Sequence, residues 1–194
     1  MKYFCLVLCF ALTLGLSAQR IHFDVILFGD KVGDLTVTKT LEPENVEHYT
    51  LETHSAAKIL WINRENESRY DVKYQNGKLI SSSHIEKQNG RLERWTKVHF
   101  DGQQYQVDSY KGKRSFTEAP DFSIVTLYFE PRKLHRKIFY EAEADFNELK
   151  YPDANTMEFK SSDGNRNVYH YENGHIHDME FHVSIATVYM RRTN

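Results

Sequence analysis

The stretch HIHDMEFHVSIATVYM, residues 175 to 190, places three histidines and two carboxylates within its first eight positions. Imidazole and carboxylate groups are the ligands of zinc, and a protein zinc site needs three or four of them. In an extended strand, side chains alternate between faces. His175, His177, Met179, Phe181, Val183 and Ile185 then share one face, and Ile176, Asp178, Glu180, His182 and Ser184 share the other. The three histidines therefore do not converge. His175 and His177 form a His-x-His pair that zinc or copper can use. The Asn173-Gly174 turn makes His170 and Glu172 the nearest further ligands. These four residues would support a metal-dependent hydrolase. The plainer expectation is that the two histidines cap the apolar face of a strand whose Phe181, Val183, Ile185 and Tyr189 lie in the core.

Other chemistry is thinly represented. YEAEADF alternates Glu141, Glu143 and Asp145 with Tyr140, Ala142, Ala144 and Phe146. Carboxylates at such separations can act on glycosides, but the alternation predicts a solvated strand face. The sequence contains no Gly-x-Ser-x-Gly elbow, Walker loop, His-Glu-x-x-His or calcium loop. No cofactor is expected. Tyrosine and phenylalanine are abundant, with 12 of each. Most alternate into strand faces as core. Tyr105, Val107, Phe122, Val125 and Phe129 are the expected wall of a concave apolar pocket, since a curled sheet of this size can enclose one small ligand.

The elements that must carry these residues are written in turns. Asn76-Gly77, Asn89-Gly90, Asp101-Gly102, Lys111-Gly112, Asp163-Gly164 and Asn173-Gly174 punctuate the chain. Asn-Gly and Asp-Gly accept the positive φ angles of two-residue hairpins. Between them, Tyr70, Val72 and Tyr74 alternate with Arg69, Asp71 and Lys73, and Met157 and Phe159 alternate with Thr156, Glu158 and Lys160. Period two with one polar face predicts half-buried antiparallel strands. Further strands are expected at 21–28, 32–41, 46–54, 57–63, 137–142, 145–150 and 175–190. Long strands in a meander twist and curl toward a barrel. In APDFSIVTLYFEP, Asp121 is a candidate helix cap, Pro131 a stop, and Phe122, Val125 and Phe129 have helical spacing. Its β-branched and aromatic content favours strand equally. The expected fold is mainly all-β: a curled antiparallel meander forming an open or half barrel, with one short helix near 121–129 if helical spacing prevails. Arg69, Asp71 and Lys73 in mid-strand argue against a lipid-facing barrel, where Arg or Lys costs about 2–4 kcal/mol each.

Residues 1–18 have the form of a cleaved secretory signal. Lys2 precedes the apolar run FCLVLCFALTLGL, and Leu16-Ser17-Ala18 fits signal peptidase. That leaves 19–194 as a single β-rich domain, secreted or periplasmic. Both cysteines, Cys5 and Cys9, would leave with the signal, so no disulfide or thiol chemistry is expected. The full chain carries a net charge of −2 and no basic patch, which speaks against nucleic acid as a partner. A membrane-spanning protein is not expected, and a monomer is favoured.

FDVILFGDKVGDLTVTK, YQNGKLISSS, FTEAPDFSIVTLYFEP, and DGNRNVYHYENG followed by IATVYMRR together resemble an uncharacterised family of secreted Gram-negative envelope proteins, known as a domain of unknown function. The resemblance spans residues 21 to 192. The layout is also similar to exported open barrels of the lipoprotein-carrier type, with a helix against the concave face. The resemblance implies a curled sheet and a helix at 121–129, and it brings no catalytic residue. The leading expectation is an exported, non-enzymatic β-protein that binds an apolar or lipid-like ligand or supports the envelope. The alternatives are the metal-dependent hydrolase and a polysaccharide- or protein-interaction module.

Overall fold

A computed structural model describes residues 18–59, 62–131, 133–183 and 186–193. The expected leader lies outside these residues except for Ala18. Fifteen strands follow in chain order: β1 (Ala18–Leu27), β2 (Asp30–Glu42), β3 (Val46–Ile59), β4 (Ile62–Gln75), β5 (Lys78–Gln88), β6 (Arg91–Phe100), β7 (Tyr105–Ser109), β8 (Gly112–Phe116), β9 (Lys137–Tyr140), β10 (Asp145–Glu148), β11 (Lys150–Asp153), β12 (Thr156–Lys160), β13 (Arg166–Glu172), β14 (His175–Val183) and β15 (Ala186–Arg192). One short helix, α1 (Ile124–Leu127), lies between β8 and β9.

Thirteen strands form one antiparallel sheet in the order β11-β12-β13-β14-β15-β1-β2-β3-β4-β5-β6-β7-β8. It is a meander with one long-range join, where β15 returns to pair with β1. The sheet curls but does not close, so β8 and β11 are its edges. Residues 117–149 run between them and fill the concave side. This crossing segment carries α1 and the β9–β10 hairpin, and we refer to it as the plug. Ile138 and Phe139 of the plug are fully buried. Burying two such side chains stabilises the seat of the plug by roughly 3–6 kcal/mol.

The expected strand alternation holds along most of the sheet. Tyr70, Val72 and Tyr74 are buried, as are Tyr105, Val107, Met157 and Phe159. The Asn-Gly turns adopt positive φ at both positions, as at Asn76 (51°) and Gly77 (74°). Gly33 has a different role. A Cβ there would lie 2.1 Å from the carbonyl oxygen of His54, so only glycine lets β2 approach β3 this closely.

Several expectations are corrected. Segment 175–190 is not one strand but the hairpin β14–β15, in which Phe181 pairs with Val188. Val183 and Tyr189 are 39% and 46% exposed rather than in the core, and Ile185 lies outside the described residues. Alternation also breaks within β14. A register shift between His170 and Tyr171 leaves His177 as an extra residue, so Ile176 and Met179 both point inward. Segments 46–54 and 57–63 do not divide as expected, because β3 runs unbroken to Ile59. The helix is shorter than 121–129. It is capped by Ser123 rather than Asp121, and Thr126 Oγ1 accepts the Ser123 N–H at 3.0 Å. Glu141 and Glu143 do not sit on a solvated strand. They lie in the β9–β10 turn, and Glu141 is 0% exposed.

Candidate ligand site

A partly open pocket of about 230 Å³ lies between the concave face and the plug. Inward alternation supplies its walls. Leu35, Leu51 and Tyr70 come from β2 to β4, and Phe159, Tyr169, Phe181 and Met190 come from the facing arm. Ile124 of α1, Tyr128 immediately after it and Tyr140 of β9 form its plug side. Tyr128 is fixed from two directions. Its ring packs edge-on against Phe23 at 5.7 Å, and its hydroxyl lies 3.5 Å from Met179 Sδ.

One end of the cavity is polar. Thr53, Ser68 and Glu86 are cross-strand neighbours on β3, β4 and β5. They form a rung one step beyond Leu51, Tyr70 and His84. Asn167 of β13 completes the end from the other arm. His84 is 3% exposed and Asn167 is 8% exposed. His84 Nε2 lies 3.2 Å from Ser68 Oγ, while His84 Nδ1 and Asn167 Nδ2 have no hydrogen-bond partner. Buried polar atoms nearly always have a partner, which a ligand or water can supply. Burial, with a smaller contribution from Arg94, pushes the His84 imidazole down to about 4. The ring is therefore neutral at pH 7. Burial also holds the Tyr70, Tyr128, Tyr140 and Tyr169 phenols above their ordinary value. Among the described lining residues there is no lysine or arginine, and Glu86 is the one formal charge.

A second buried ionisable group, Glu141, sits in the plug. Burial raises the Glu141 carboxyl to about 7, opposed by the nearby Ser123 hydroxyl and the backbone N–H groups of α1. Glu141 Oε1 accepts the Val125 N–H at 3.4 Å.

The five residues expected to wall the pocket lie elsewhere. Tyr105 stacks on Phe116 at 5.0 Å, Phe122 stacks on His135 at 3.8 Å, and Phe129 packs against Tyr49 at 5.8 Å. Val107 and Val125 are buried in the same core. None of the five lines the cavity. The helix is in place, but it turns Ile124 and Tyr128 toward the cavity rather than Phe122, Val125 or Phe129.

The four expected metal ligands separate into two groups. His177 lies 3.5 Å from Glu172 and 2.9 Å from Asp178. His170 lies 3.0 Å from Glu180, whose other oxygen is 3.0 Å from His182. His175 pairs with Glu172 in register. Among the described residues, the group whose ligand atoms all come within 4.8 Å of one another is His54, Glu65 and Glu67, on the outer face of β3 and β4. These three are exposed, and Glu67 is already 3.7 Å from Lys87. No sequence signal marks this group, because only the β3–β4 register brings it together.

Taken together, the fold and site define an incompletely closed antiparallel β-barrel with an internal plug and a small, half-aromatic cavity. The chain belongs to the family described as a domain of unknown function (DUF6134), whose model matches residues 23–193. No protein with a curated description matches it. It is similar in fold to the crystal structure of a beta-barrel-like protein of domain of unknown function DUF1849 from Brucella abortus. That likeness has a TM-score of 0.54 at 12% identity and covers 92% of this chain and 97% of the other. At that identity the likeness concerns the fold alone. Among the described residues, no helix is long and apolar enough to cross a membrane.

Proposed function

We propose that this protein is an exported, non-enzymatic binding protein that holds a small apolar-bodied ligand between the curled sheet and the plug. Export is proposed from the leader-like residues 1–18. The observation that carries the binding reading is the 230 Å³ pocket between sheet and plug, with mostly apolar and aromatic walls and polar side chains at one end. Ligand sites are typically concave, mostly apolar, and fitted with a few placed polar groups. The volume falls below the roughly 300–1,000 Å³ of drug-sized sites. It suits a short chain or a single ring, or the end of a longer molecule, rather than a whole diacyl lipid. Binding here works by burial and needs no covalent step.

Native mass spectrometry of protein purified without organic solvent tests this reading. A reproducible small adduct is expected, lost in Ile124→Trp, where the larger ring fills the cavity. Clean unliganded masses from repeated preparations would count heavily against it.

A further inference from the structure

Glu141 ties the plug to the sheet at a point that is poorly suited to a charge. Its carboxyl is fully buried. The groups that act on it are the Ser123 hydroxyl and backbone N–H groups, with no cation among them. Val125 donates its N–H to Oε1 at a long 3.4 Å, and Oε2 has no hydrogen-bond partner. Two further buried groups without a partner stand beside it, Ser123 Oγ of the plug and the Tyr74 hydroxyl of β4. Ser123 Oγ lies next to both the carboxyl and the phenol. The titratable groups that face Glu141 are phenols: Tyr70 and Tyr74 from β4, Tyr128 after α1, and Tyr169 from β13. Burial keeps all four neutral. A carboxylate held here loses its hydration and gains only neutral dipoles in return. A carboxylic acid costs far less to bury, and its O–H at Oε2 can donate to Ser123 Oγ. The seat therefore favours the protonated group.

The same contact sets one wall of the pocket. Ile124 precedes Val125, whose N–H the carboxyl holds, and Tyr140 precedes Glu141 itself. Ile124 and Tyr140, with Tyr128, are the plug residues that line the pocket. The pocket is formed only while the plug is seated. Resting on the pocket reading above, we propose that Glu141 is a proton-operated latch. As the neutral acid it locks the plug to β4 and keeps the pocket formed. Loss of its proton to solvent loosens the plug and releases what the pocket holds. Acid surroundings then favour retention of a ligand, and neutral to alkaline surroundings favour its release.

Hydrogen exchange of the full protein, read by mass spectrometry and corrected for intrinsic rates, tests the latch without a ligand. Peptides within 117–149 report on the plug, and peptides within β2 and β3 report on the sheet. The carboxyl moves from its ordinary 4.5 to about 7 when seated. Plug protection should therefore fall at least tenfold from pH 5 to pH 8 and level off above about 7. Protection of the sheet should not follow. In Glu141→Gln the plug should show no such fall. His84 is common to both proteins, so its own titration cancels in their ratio. Equal plug profiles in the two proteins, or a plug that never parts from the sheet, would overturn the latch. Should Glu141→Gln fail to fold, the wild-type ratio of plug to sheet decides alone. Native mass spectrometry at pH 5.5 and pH 8 tests control of the pocket. The adduct should weaken several-fold at the higher pH in the wild type and hold steady in Glu141→Gln. An adduct indifferent to pH in the wild type would overturn control of the pocket by the latch. Absence of an adduct at either pH would instead remove the pocket reading and the control of it, while exchange still judges the latch.

Discussion

Thr96 donates its hydroxyl proton to the carbonyl oxygen of Ala142 at 2.7 Å, joining β6 to the turn of the plug. Thr96 is buried, so the bond is shielded from water. Thr96→Val keeps the shape and leaves the Ala142 carbonyl unsatisfied, which costs about 1–3 kcal/mol. Urea unfolding should show a lower midpoint with an unchanged slope. An unaltered midpoint would mean that the bond contributes nothing to holding the plug.

Arg94 and Asp163 span the same open seam nearer the surface, 3.4 Å apart. Both side chains are substantially exposed, and exposed ion pairs are usually worth under about 1 kcal/mol. Arg94→Gln should therefore cost less than Thr96→Val in the same unfolding experiment. Its effect should shrink further in high salt. The reverse ranking would show that charge rather than buried hydrogen bonding holds the two arms together.

Glu141 and His84 act on stability in opposite directions. Glu141 titrates near 7 when folded, against 4.5 ordinarily. The folded chain holds its proton longer, so this contribution is complete below pH 4.5 and is lost as pH rises through about 7. His84 titrates near 4 when folded, against 6.5. Its contribution is complete above pH 6.5 and is lost as pH falls through about 4. Each amounts to about 3 kcal/mol. Between pH 4.5 and 6.5 the two slopes cancel. Glu141→Gln should uncover the rise due to His84, and His84→Gln should uncover the fall due to Glu141. Unfolding free energies measured from pH 4 to 8, taken as variant minus wild type, check the signs. Parallel profiles for all three proteins would refute the assignment.

Gly33→Ala should destabilise the sheet although its surroundings are only partly buried. The new Cβ would fall 2.1 Å from the His54 carbonyl oxygen, and backbone must move to admit it. Overpacking of this kind costs about 1–3 kcal/mol. For a domain of this size that is a fall of roughly 2–12 °C in Tm. A melting temperature within a degree of wild type would show that β2 and β3 can part without penalty.

The strands and most of their turns are legible in the sequence because period-two alternation and Asn-Gly pairs act locally. Hairpins without such a pair are not. β14 ends at Val183 and β15 begins at Ala186, and the sequence between them has no glycine, so the two read as one strand. Bulges hide more. In LISSSHIEK, simple alternation groups Leu79 with Ser81 and Ser83. The shift between Lys73 and Tyr74 makes Ile80 an extra residue, and Leu79, Ser82 and His84 face inward instead. The polar end of the cavity escapes the sequence for a further reason. Ser68 and His84 belong to one arm and Asn167 to the other, and only the β1–β15 pairing sets the arms face to face.

That pairing also orders events in time. Leu27 waits for Val188, so β1 has a partner on one side only until nearly the whole chain exists. Closing a loop that long is entropically slow, and topologies dominated by such contacts fold late. The first strand made is thus completed by the last. Until then β1 keeps one open edge, which only the last strand covers.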